Sequence, residues 1–366
     1  MSYKNFCTFF DCGSSKIRAG VFNVNNNKET FYNESEFFTN QLNLELKIEK
    51  IITSLEKDIN EYIDSINLMI DSSKTFSISI SISKKFDGSE LKQSNIKFLV
   101  QEVKQQILKN YTNYNIIHII INNYKIDGVD YSYLPNEIKC NFLSLDLFFI
   151  CLPSDLVLSF KKVFSNSNIL INEIICSSYV KSFNYKNNLN LNGHTSFIDI
   201  GFDKTSIISY YNDKILSLNI LPIGGNHVTK DISEILSIDL KQAENIKINF
   251  YYNQKHDDVS KETIQKIIFA RTEEILELSI KFCESNSPIF GKFKVVLMGG
   301  GSKLIDDQHK NKISLLNDIV FLEETSESIC QSGFKFITGL NKQEVVVVPK
   351  KQIKQGFFEK LFHFFS

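Results

Sequence analysis

Two short segments, far apart in the chain, combine an aspartate, a glycine and a lysine between apolar runs. They are Phe10–Lys16 (FDCGSSK) and Ile198–Thr205 (IDIGFDKT). Each pattern predicts two strands joined by a tight turn. The backbone amides of such a turn can hold phosphate oxygens, and a carboxylate beside them lies near the metal ion that accompanies a phosphate. The repeat therefore predicts a clamp in which one hairpin from each of two lobes holds the same phosphate groups.

The first turn supplies the clearest phosphate donors. Gly13 lets a backbone amide approach closely, Ser14 and Ser15 add hydroxyl donors, and Lys16 can neutralise phosphate charge. The segment has an alternative interpretation as an ordinary hairpin, which the second copy disfavours.

A third segment, Val295–Ser302 (VVLMGGGS), is an apolar run that ends in three glycines. Such a run places bare backbone against a flat ligand at the start of a helix. A simple glycine-rich loop is the alternative interpretation of this segment.

Composition excludes several classes of protein. The chain has 366 residues, 43% of them apolar, and a formal net charge of −1, so it carries no electrostatic signal for nucleic acid. The 7 cysteines are scattered and never spaced as CxxC, which favours reduced thiols in the core over disulfides or a zinc site. No apolar run is long enough to span a bilayer.

Apolar spacing predicts the elements that position these motifs. A helix is expected over 45–70, a strand over 75–83, and a compact α+β segment over 84–152. The polar stretch 184–193 predicts the boundary between two lobes, and helices are expected at about 226–236, 240–249 and 261–284. Apart from a run of valines, residues 341–355 are polar and carry several lysines, which is typical of a linker.

The last eleven residues, Gly356–Ser366, predict a short amphipathic helix. At 100° per residue, its large apolar side chains fall within an arc of about 160°. These side chains are Phe357, Phe358, Leu361, Phe362, Phe364 and Phe365. The helix is too short to cross a bilayer, but it can lie in the headgroup region, where nearby lysines favour anionic lipid. Docking on its own protein is the alternative.

These motifs, in this order, resemble the actin-like ATPase superfamily, and Leu221–Ile232 (LPIGGNHVTKDI) with Ala243–Lys247 (AENIK) narrows the resemblance to the FtsA family. The resemblance implies an actin-like α/β fold of two lobes, in which a ribonuclease H-like unit is duplicated. It also implies an inserted α+β subdomain, 1C. It implies 1–83 and 153–192 as the first lobe (subdomain 1A), 84–152 as subdomain 1C, and 193–340 as the second lobe (2A), with a reduced subdomain 2B at about 240–290. The linker at 341–355 and a membrane-targeting helix at 356–366 complete the family pattern.

The resemblance also implies ATP and Mg²⁺ as ligands, and it implies roles for individual residues of this chain. Phosphate contacts are expected at Gly13, Ser14, Ser15, Lys16, Gly201 and Thr205, with Asp11 and Asp199 near magnesium through water. Gly224 and Gly225 would flank the nucleotide, Glu244 and Lys247 would reach the ribose and base, and Gly299, Gly300, Gly301 and Ser302 would approach the adenosine. A solvated ion pair is the alternative for Glu244 and Lys247.

Two departures from the family pattern bear on catalysis. Phe202 and Asp203 replace two glycines of the second phosphate turn, and Thr205 falls one place late, which predicts weakened γ-phosphate binding. The stretch Ile175–Tyr179 offers no Glu or Gln to orient a water molecule. We therefore expect nucleotide binding with at most weak ATPase activity.

The FtsA resemblance implies a role in cell division on the cytoplasmic side of the inner membrane, at the septum. Expected partners are the C-terminal peptide of FtsZ, anionic lipid, later division proteins and further copies of the chain in filaments, with no nucleic acid. Arg271, on the helix predicted over 261–284, is a candidate contact for a carboxylate of FtsZ; an ordinary solvated helix residue is the alternative. A PilM-like pilus-assembly scaffold and a small-molecule kinase of the same fold are the alternative functions.

Overall fold

The computed structural model describes residues 6–23, 29–35, 41–189, 191–250, 261–286, 293–306, 309 and 319–339. The predicted linker at 341–355, the predicted membrane helix at 356–366 and the segment 251–260 therefore lie outside the described residues.

Two five-stranded sheets have the same topology. The first has the order β3-β2-β1-β4-β9 and the second the order β12-β11-β10-β13-β14. In each, three antiparallel strands are followed by two parallel ones. The first sheet consists of β1 (Phe6–Cys12), β2 (Lys16–Asn23), β3 (Glu29–Ser35), β4 (Ser65–Ile70) and β9 (Leu170–Cys176). The second consists of β10 (His194–Ile200), β11 (Thr205–Tyr211), β12 (Lys214–Leu221), β13 (Lys294–Met298) and β14 (Val320–Phe321).

The helices lie on both sides of these sheets and between them. They are α1 (Gln41–Ile59), α2 (Gln93–Asn110), α3 (Ser154–Asn166), α4 (Ser177–Asn188), α5 (Gly225–Leu236), α6 (Leu240–Asn249), α7 (Lys261–Ser285) and α8 (Ser326–Thr338). Helices α4 and α8 form a central layer, because one buried cluster joins them to both sheets through residues such as Phe9, Tyr179, Phe197 and Ile329. Burial of these large apolar side chains holds the two lobes together.

A third sheet is inserted between β4 and α3. It has the order β5-β8-β6-β7, with β5 (Phe76–Glu90), β6 (Tyr114–Ile126), β7 (Val129–Tyr131) and β8 (Lys139–Pro153). Helix α2 packs on it through Leu99, Val103 and other apolar residues. The strand predicted over 75–83 pairs with β8 and belongs to this sheet, so the inserted unit begins at Phe76 and not at residue 84.

The predicted helix over 45–70 is wrong beyond Ile59. Asn60 adopts a left-handed backbone conformation (φ 56°), which ends α1. Residues 65–70 form the central strand β4, buried between β1 and β9. Ile63 and Ile66 continue the helical spacing by chance, and a fully buried parallel strand has no alternation that would distinguish it from a helix.

In the part of the chain that the structure describes, no helix combines the length and the apolar character that crossing a bilayer would require.

Candidate functional site

The two predicted hairpins are present and have the same backbone geometry. In the first, the Gly13 amide donates to the Lys16 carbonyl at 2.9 Å, and in the second the Gly201 amide donates to the Lys204 carbonyl at 2.9 Å. A Cβ atom on either glycine would lie 3.0–3.1 Å from that carbonyl oxygen, a tight contact that favours glycine at both positions. The duplication seen in the sequence is therefore a duplication of structure.

Asp11, the penultimate residue of β1, is paired within its own lobe. Arg18 lies directly opposite it on β2, and its Nη1 atom donates to Asp11 Oδ2 at 2.9 Å. The Ser177 hydroxyl, at the start of α4, donates to Asp11 Oδ1 at 2.6 Å. Since Asp11 is only 6% exposed, these two donors satisfy a buried charge.

Asp199, the equivalent residue of β10, takes its cation from another element. Ser206 lies opposite it on β11 and carries no charge. The Nζ atom of Lys181, on α4, lies 2.6 Å from Asp199 Oδ2 and 3.2 Å from Glu324 Oε1. Glu324 in turn accepts the Gly299 amide at 2.9 Å. The Lys181 ammonium therefore bridges two carboxylates of the second lobe.

Lys181 is charged in this position despite being 6% exposed. Burial by itself would lower the pKa of Lys181, but the carboxylates of Asp199 and Glu324, and Asp11 with them, raise that pKa well above its usual value. Burial raises the pKa of Glu324, an effect that the nearby Lys181 ammonium opposes. The cluster is thus a tightly coupled set of charges between the lobes.

A group of cations lies beside the first turn. The pKa of Lys16 is lowered by burial and by its closeness to Arg18 and Lys303. Gly13, Ser14, Ser15 and Lys16 are all half-buried, so the turn remains partly accessible to solvent. Lys16 and Arg18 are partly buried and Lys303 is exposed, and cations next to turn amides are suited to binding an anion such as phosphate.

The second turn has different surroundings. The Phe202 ring lies 5.2 Å below the Lys247 ammonium, and Asp203 accepts the Asn226 side-chain amide at 2.8 Å. The Thr205 hydroxyl is fully buried and donates to the Ile223 carbonyl at 2.7 Å. The structure therefore engages Thr205 in the packing of its own lobe and not at the cleft surface.

Gly224 and Gly225 bring the start of α5 against the second turn. A Cβ atom on Gly224 would lie 2.6 Å from the Gly201 carbonyl oxygen and 2.7 Å from that of Phe202. The Gly225 amide donates to the Gly201 carbonyl at 2.9 Å. Close backbone packing that only glycine permits is thus the local role of Gly224, whereas Gly225 contributes its amide.

Glu244 and Lys247 lie on one face of α6, as their spacing predicts, and form an ion pair of 2.6 Å. The Lys247 ammonium also donates to the Gly225 carbonyl at 2.9 Å and to the Thr229 hydroxyl at 2.8 Å, and Thr229 donates to Glu244. Burial lowers the pKa of Lys247, and the nearby carboxylate of Glu244 partly offsets this shift. This pair is not a solvated surface pair: it ties α6 to the start of α5.

The glycine run after β13 packs against Asp199. Gly299 has a φ of 86°, and a Cβ atom there would collide with Asp199 Oδ1. Gly301 abuts the Ile200 side chain, whereas Gly300 faces open space. The Ser302 hydroxyl donates to the Gly299 carbonyl at 2.7 Å. The run therefore leaves bare backbone, with Gly300 exposed, beside the second carboxylate.

The second turn also reaches across the cleft. Lys204 donates to the backbone carbonyl of Asp71, just after β4, at 2.5 Å. The Asp71 carboxylate accepts the Cys176 thiol at 2.9 Å and the Ser178 amide at 3.0 Å, which fixes it to the start of α4. Lys204 and Lys181 thus make two separate connections between the lobes.

The residues present do not fit the predicted magnesium ion. Asp11 is bound to Arg18 at 2.9 Å and Asp199 to Lys181 at 2.6 Å, so each carboxylate already has a cation. Among the described residues, no three His, Cys, Asp or Glu side chains are grouped so as to hold a metal ion. A divalent ion at either carboxylate would have to displace a buried cationic side chain.

Sequence reasoning missed four side chains of this site: Arg18, Ser177, Lys181 and Glu324. The pairing of Arg18 with Asp11 could have been predicted from the sequence, because a tight hairpin places the two residues opposite each other. No local pattern marks Lys181 or Glu324, which come from distant elements and meet only through folding.

Comparisons with known proteins agree with this architecture. The family model described as "Cell division protein FtsA" matches residues 196–324. The cell division protein FtsA of Agrobacterium fabrum is 22% identical over 284 residues, which cover 71% of this chain and 63% of that protein. FtsA of Buchnera aphidicola subsp. Acyrthosiphon pisum is 22% identical over 348 residues, covering 83% of each chain. The chain thus matches less than two thirds of the length of some of these relatives.

Solved structures show the same fold at low identity. The PilM–PilN type IV pilus biogenesis complex has a TM-score of 0.62 at 14% identity, covering 90% of this chain and 95% of that one. MreB5 of Spiroplasma citri, in a structure bound to ADP, has a TM-score of 0.50 at 13% identity, covering 92% and 97%. These likenesses confirm the predicted actin-like fold, and the sequence matches confirm the predicted family resemblance.

Proposed function

We propose a function from the premise that this chain is a relative of the cell division protein FtsA with an actin-like fold. In this proposal the protein binds an adenine nucleotide between its lobes. It also anchors FtsZ filaments to the cytoplasmic face of the membrane at the division site. The observation that carries the proposal is the pair of matching hairpin turns, in a chain whose residues 196–324 match the FtsA family model.

Three features support nucleotide binding. The first turn offers amides and hydroxyls beside Lys16 and Lys303, the glycine run offers bare backbone at Gly300, and MreB5 binds ADP in the same fold. The nucleotide is ATP or ADP in this proposal. It holds the lobes in one arrangement, because a ligand that binds only the folded protein stabilises it.

Hydrolysis is expected to be weak. At the start of α4, the side chain that contacts Asp11 is the Ser177 hydroxyl, which donates its proton to the carboxylate at 2.6 Å. A neutral serine hydroxyl is too weak a base to take a proton from an attacking water molecule, so this position supplies no general base. Phe202 and Asp203 also stand where bare amides would contact a γ-phosphate.

Membrane attachment is proposed from the sequence of the tail. Its six large apolar side chains share one helical face, and Lys350, Lys351 and Lys354 precede them. Such a segment buries its apolar face at the lipid headgroup boundary and is attracted to anionic lipid.

FtsZ binding is proposed on the second lobe, near α7. Arg271, the candidate contact, is already bound to Asp231 through two bonds of 2.6 and 2.9 Å and to Glu274 at 2.6 Å. A carboxylate of a partner peptide would therefore have to exchange with Asp231 or Glu274. Filament formation and contacts of the inserted unit with later division proteins belong to the same proposal.

Cosedimentation with anionic liposomes tests lipid, nucleotide and partner together. The full chain should pellet with vesicles that contain phosphatidylglycerol, and should bring a peptide of the FtsZ C-terminus with it when ATP is present. A chain that lacks residues 353–366 should stay in the supernatant. Pelleting of the shortened chain would contradict the role of the tail.

A matched pair of variants separates membrane insertion from general charge effects. Phe362→Glu and His363→Glu place the same carboxylate on neighbouring residues of the tail, but on opposite faces of the predicted helix. Only Phe362→Glu should abolish pelleting, because only that change buries a charge in the lipid-facing side.

The alternative functions predict different results. The likeness to PilM shows the fold alone, and a pilus scaffold has no reason to bind the FtsZ peptide. A small-molecule kinase would transfer phosphate to alcohols at about 1–100 s⁻¹. Turnover in that range would overturn the proposed function.

A further inference from the structure

We infer that Lys181 performs the task of a divalent cation in this cleft, so that the protein binds the phosphate groups of a nucleotide without a metal ion. The inference rests on the proposed nucleotide-binding function and deepens it, because it defines the form of ligand that the site takes: the metal-free nucleotide anion.

The position of Lys181 is built into the structure. Its Nζ atom lies 2.6 Å from Asp199 and 3.2 Å from Glu324, and the residue is 6% exposed. Tyr185, one turn further along α4, donates to Glu324 Oε1 at 3.1 Å and orients that carboxylate. Helix α4 is itself packed between the two sheets, so the ammonium is held at one place and not on a mobile surface chain.

A magnesium ion competes poorly for the same carboxylates. Magnesium requires oxygen ligands at about 2.0–2.1 Å in octahedral geometry. At Asp199, one oxygen is bound to the ammonium and the other packs against Gly299. At Asp11, Arg18 and Ser177 occupy both oxygens. A divalent ion in this space would also be repelled by a buried ammonium at short range.

Lys16 and Lys303 remain to meet the charge of the ligand directly. Burial lowers the pKa of Lys16, and the nearby charges of Arg18, which is paired with Asp11, and of Lys303 lower it further. Placing an anionic phosphate beside these groups relieves their mutual repulsion. A metal that screens the phosphate charge would remove part of this attraction, so the side chains favour the uncomplexed anion.

The first test needs no variant. ADP and ATP are titrated into the full chain by calorimetry, once with magnesium chloride and once with EDTA in its place. The two dissociation constants should agree within a factor of about 3, a difference that corresponds to less than one decade in affinity. Binding in magnesium that weakens by more than about threefold in EDTA overturns the inference and leaves the proposed nucleotide site standing.

Variants of Lys181 give a sharper result. Lys181→Gln vacates the place between Asp199 and Glu324, so its binding should become dependent on magnesium, with at least about tenfold weaker binding in EDTA. Lys181→Arg keeps the charge and should keep binding in EDTA. The matched control is Lys186→Gln: Lys186 is an equally buried lysine on the same helix, but it is paired with Asp213 outside the cleft at 2.8 Å. That variant should bind as the parent chain does.

Each result has a distinct meaning. Metal-independent binding in the parent chain with metal dependence gained in Lys181→Gln supports the inference. Equal metal independence in folded Lys181→Gln, checked by circular dichroism, overturns it. Absence of nucleotide binding in both buffers overturns the proposed function itself.

Discussion

The two hairpins have the same backbone but obtain their charge balance in different ways. In the first, Asp11 is neutralised by Arg18, the residue directly across the same hairpin. In the second, Ser206 stands at the corresponding place, and the cation for Asp199 comes from Lys181 on α4, the helix that leaves the last strand of the first sheet. The first turn is thus electrostatically complete within its own lobe, whereas the second is completed by the other lobe.

Because the second aspartate takes its cation from the other lobe, the charged residues of the cleft also connect the two lobes. Lys181 and Lys204 both cross the cleft, one from each lobe. The inserted sheet adds a third connection, since Asn122 on β6 exchanges two hydrogen bonds of 2.7 and 3.1 Å with Ile215 on β12. Relative motion of the lobes must break these contacts, so a ligand in the cleft can act on the whole molecule.

The largest expected effect comes from removing the cation that neutralises either aspartate. Lys181→Met leaves Asp199 and Glu324 buried without their cation and should lower the free energy of unfolding by about 3–5 kcal/mol. Arg18→Met should cost about 1.5–3 kcal/mol, because Ser177 still donates to Asp11 and the Arg18 side chain is 22% exposed. Urea denaturation measures both. Equal losses would mean that the two aspartates are balanced alike.

The two lobes also differ at the end of their central parallel strand. Met69 and Met298 hold the same register beside Asp11 and Asp199, but the chain continues with Ile70 in the first lobe and with Gly299 in the second. Gly299→Ala forces a side chain into a left-handed conformation and against Asp199, and it should cost about 2–4 kcal/mol in the free energy of unfolding.

Gly300→Ala is the control for this change. Gly300 has open space around it, so its substitution should alter the free energy of unfolding by no more than about 0.5 kcal/mol. A comparable loss in both variants would show that the run is needed for backbone freedom in general and not for contact with Asp199.

A further difference lies at Thr205, which pairs with Ile200 as Ile17 pairs with Cys12 in the first hairpin. Thr205→Val removes the hydroxyl that donates to the Ile223 carbonyl and should lower the free energy of unfolding by about 1–3 kcal/mol. Affinity for nucleotide, measured by calorimetry, should not change, because this hydroxyl serves the lobe and not the ligand. A selective loss of affinity would restore Thr205 as a phosphate contact.

The smallest expected effect concerns Cys12, whose place in the second hairpin is taken by Ile200. Burial, with Asp11 and Cys330, raises the pKa of the Cys12 thiol well above its usual value. The folded protein therefore keeps this proton, whereas the unfolded chain releases it above about pH 8.5. The contribution of Cys12 to the free energy of unfolding is fully present below that pH and decreases above it. Between pH 9 and 10 this thiol accounts for a loss of about 1.2 kcal/mol in the free energy of unfolding.

Cys12→Val should reduce the decline over that interval by about that amount. The measurement is the free energy of unfolding in urea at pH 9 and 10, taken under reducing conditions for both proteins. An unchanged slope would indicate that Cys12 ionises alike in the folded and unfolded states.

Much of the site could be predicted, since its parts are local. The Asp-x-Gly turns and the pairing of Glu244 with Lys247 each depend on neighbours within a hairpin or a turn of helix. The glycine run is visible as local composition, but its contact with Asp199 forms only in the folded protein. The error over 60–70 arose where this local rule fails, because a buried parallel strand and a buried helix share the same apolar composition.

The sequence by itself determined the duplicated hairpins, because backbone turns of this kind require glycine at fixed positions and apolar runs on both sides. It also indicated the fold class, through the order of the two turns and the glycine run, which resembles that of the actin-like ATPases. Only the tertiary structure decided which cation neutralises each aspartate. Charges interact through space and not along the chain, so Lys181, Asp199 and Glu324 become one group only after α4 is packed between the sheets.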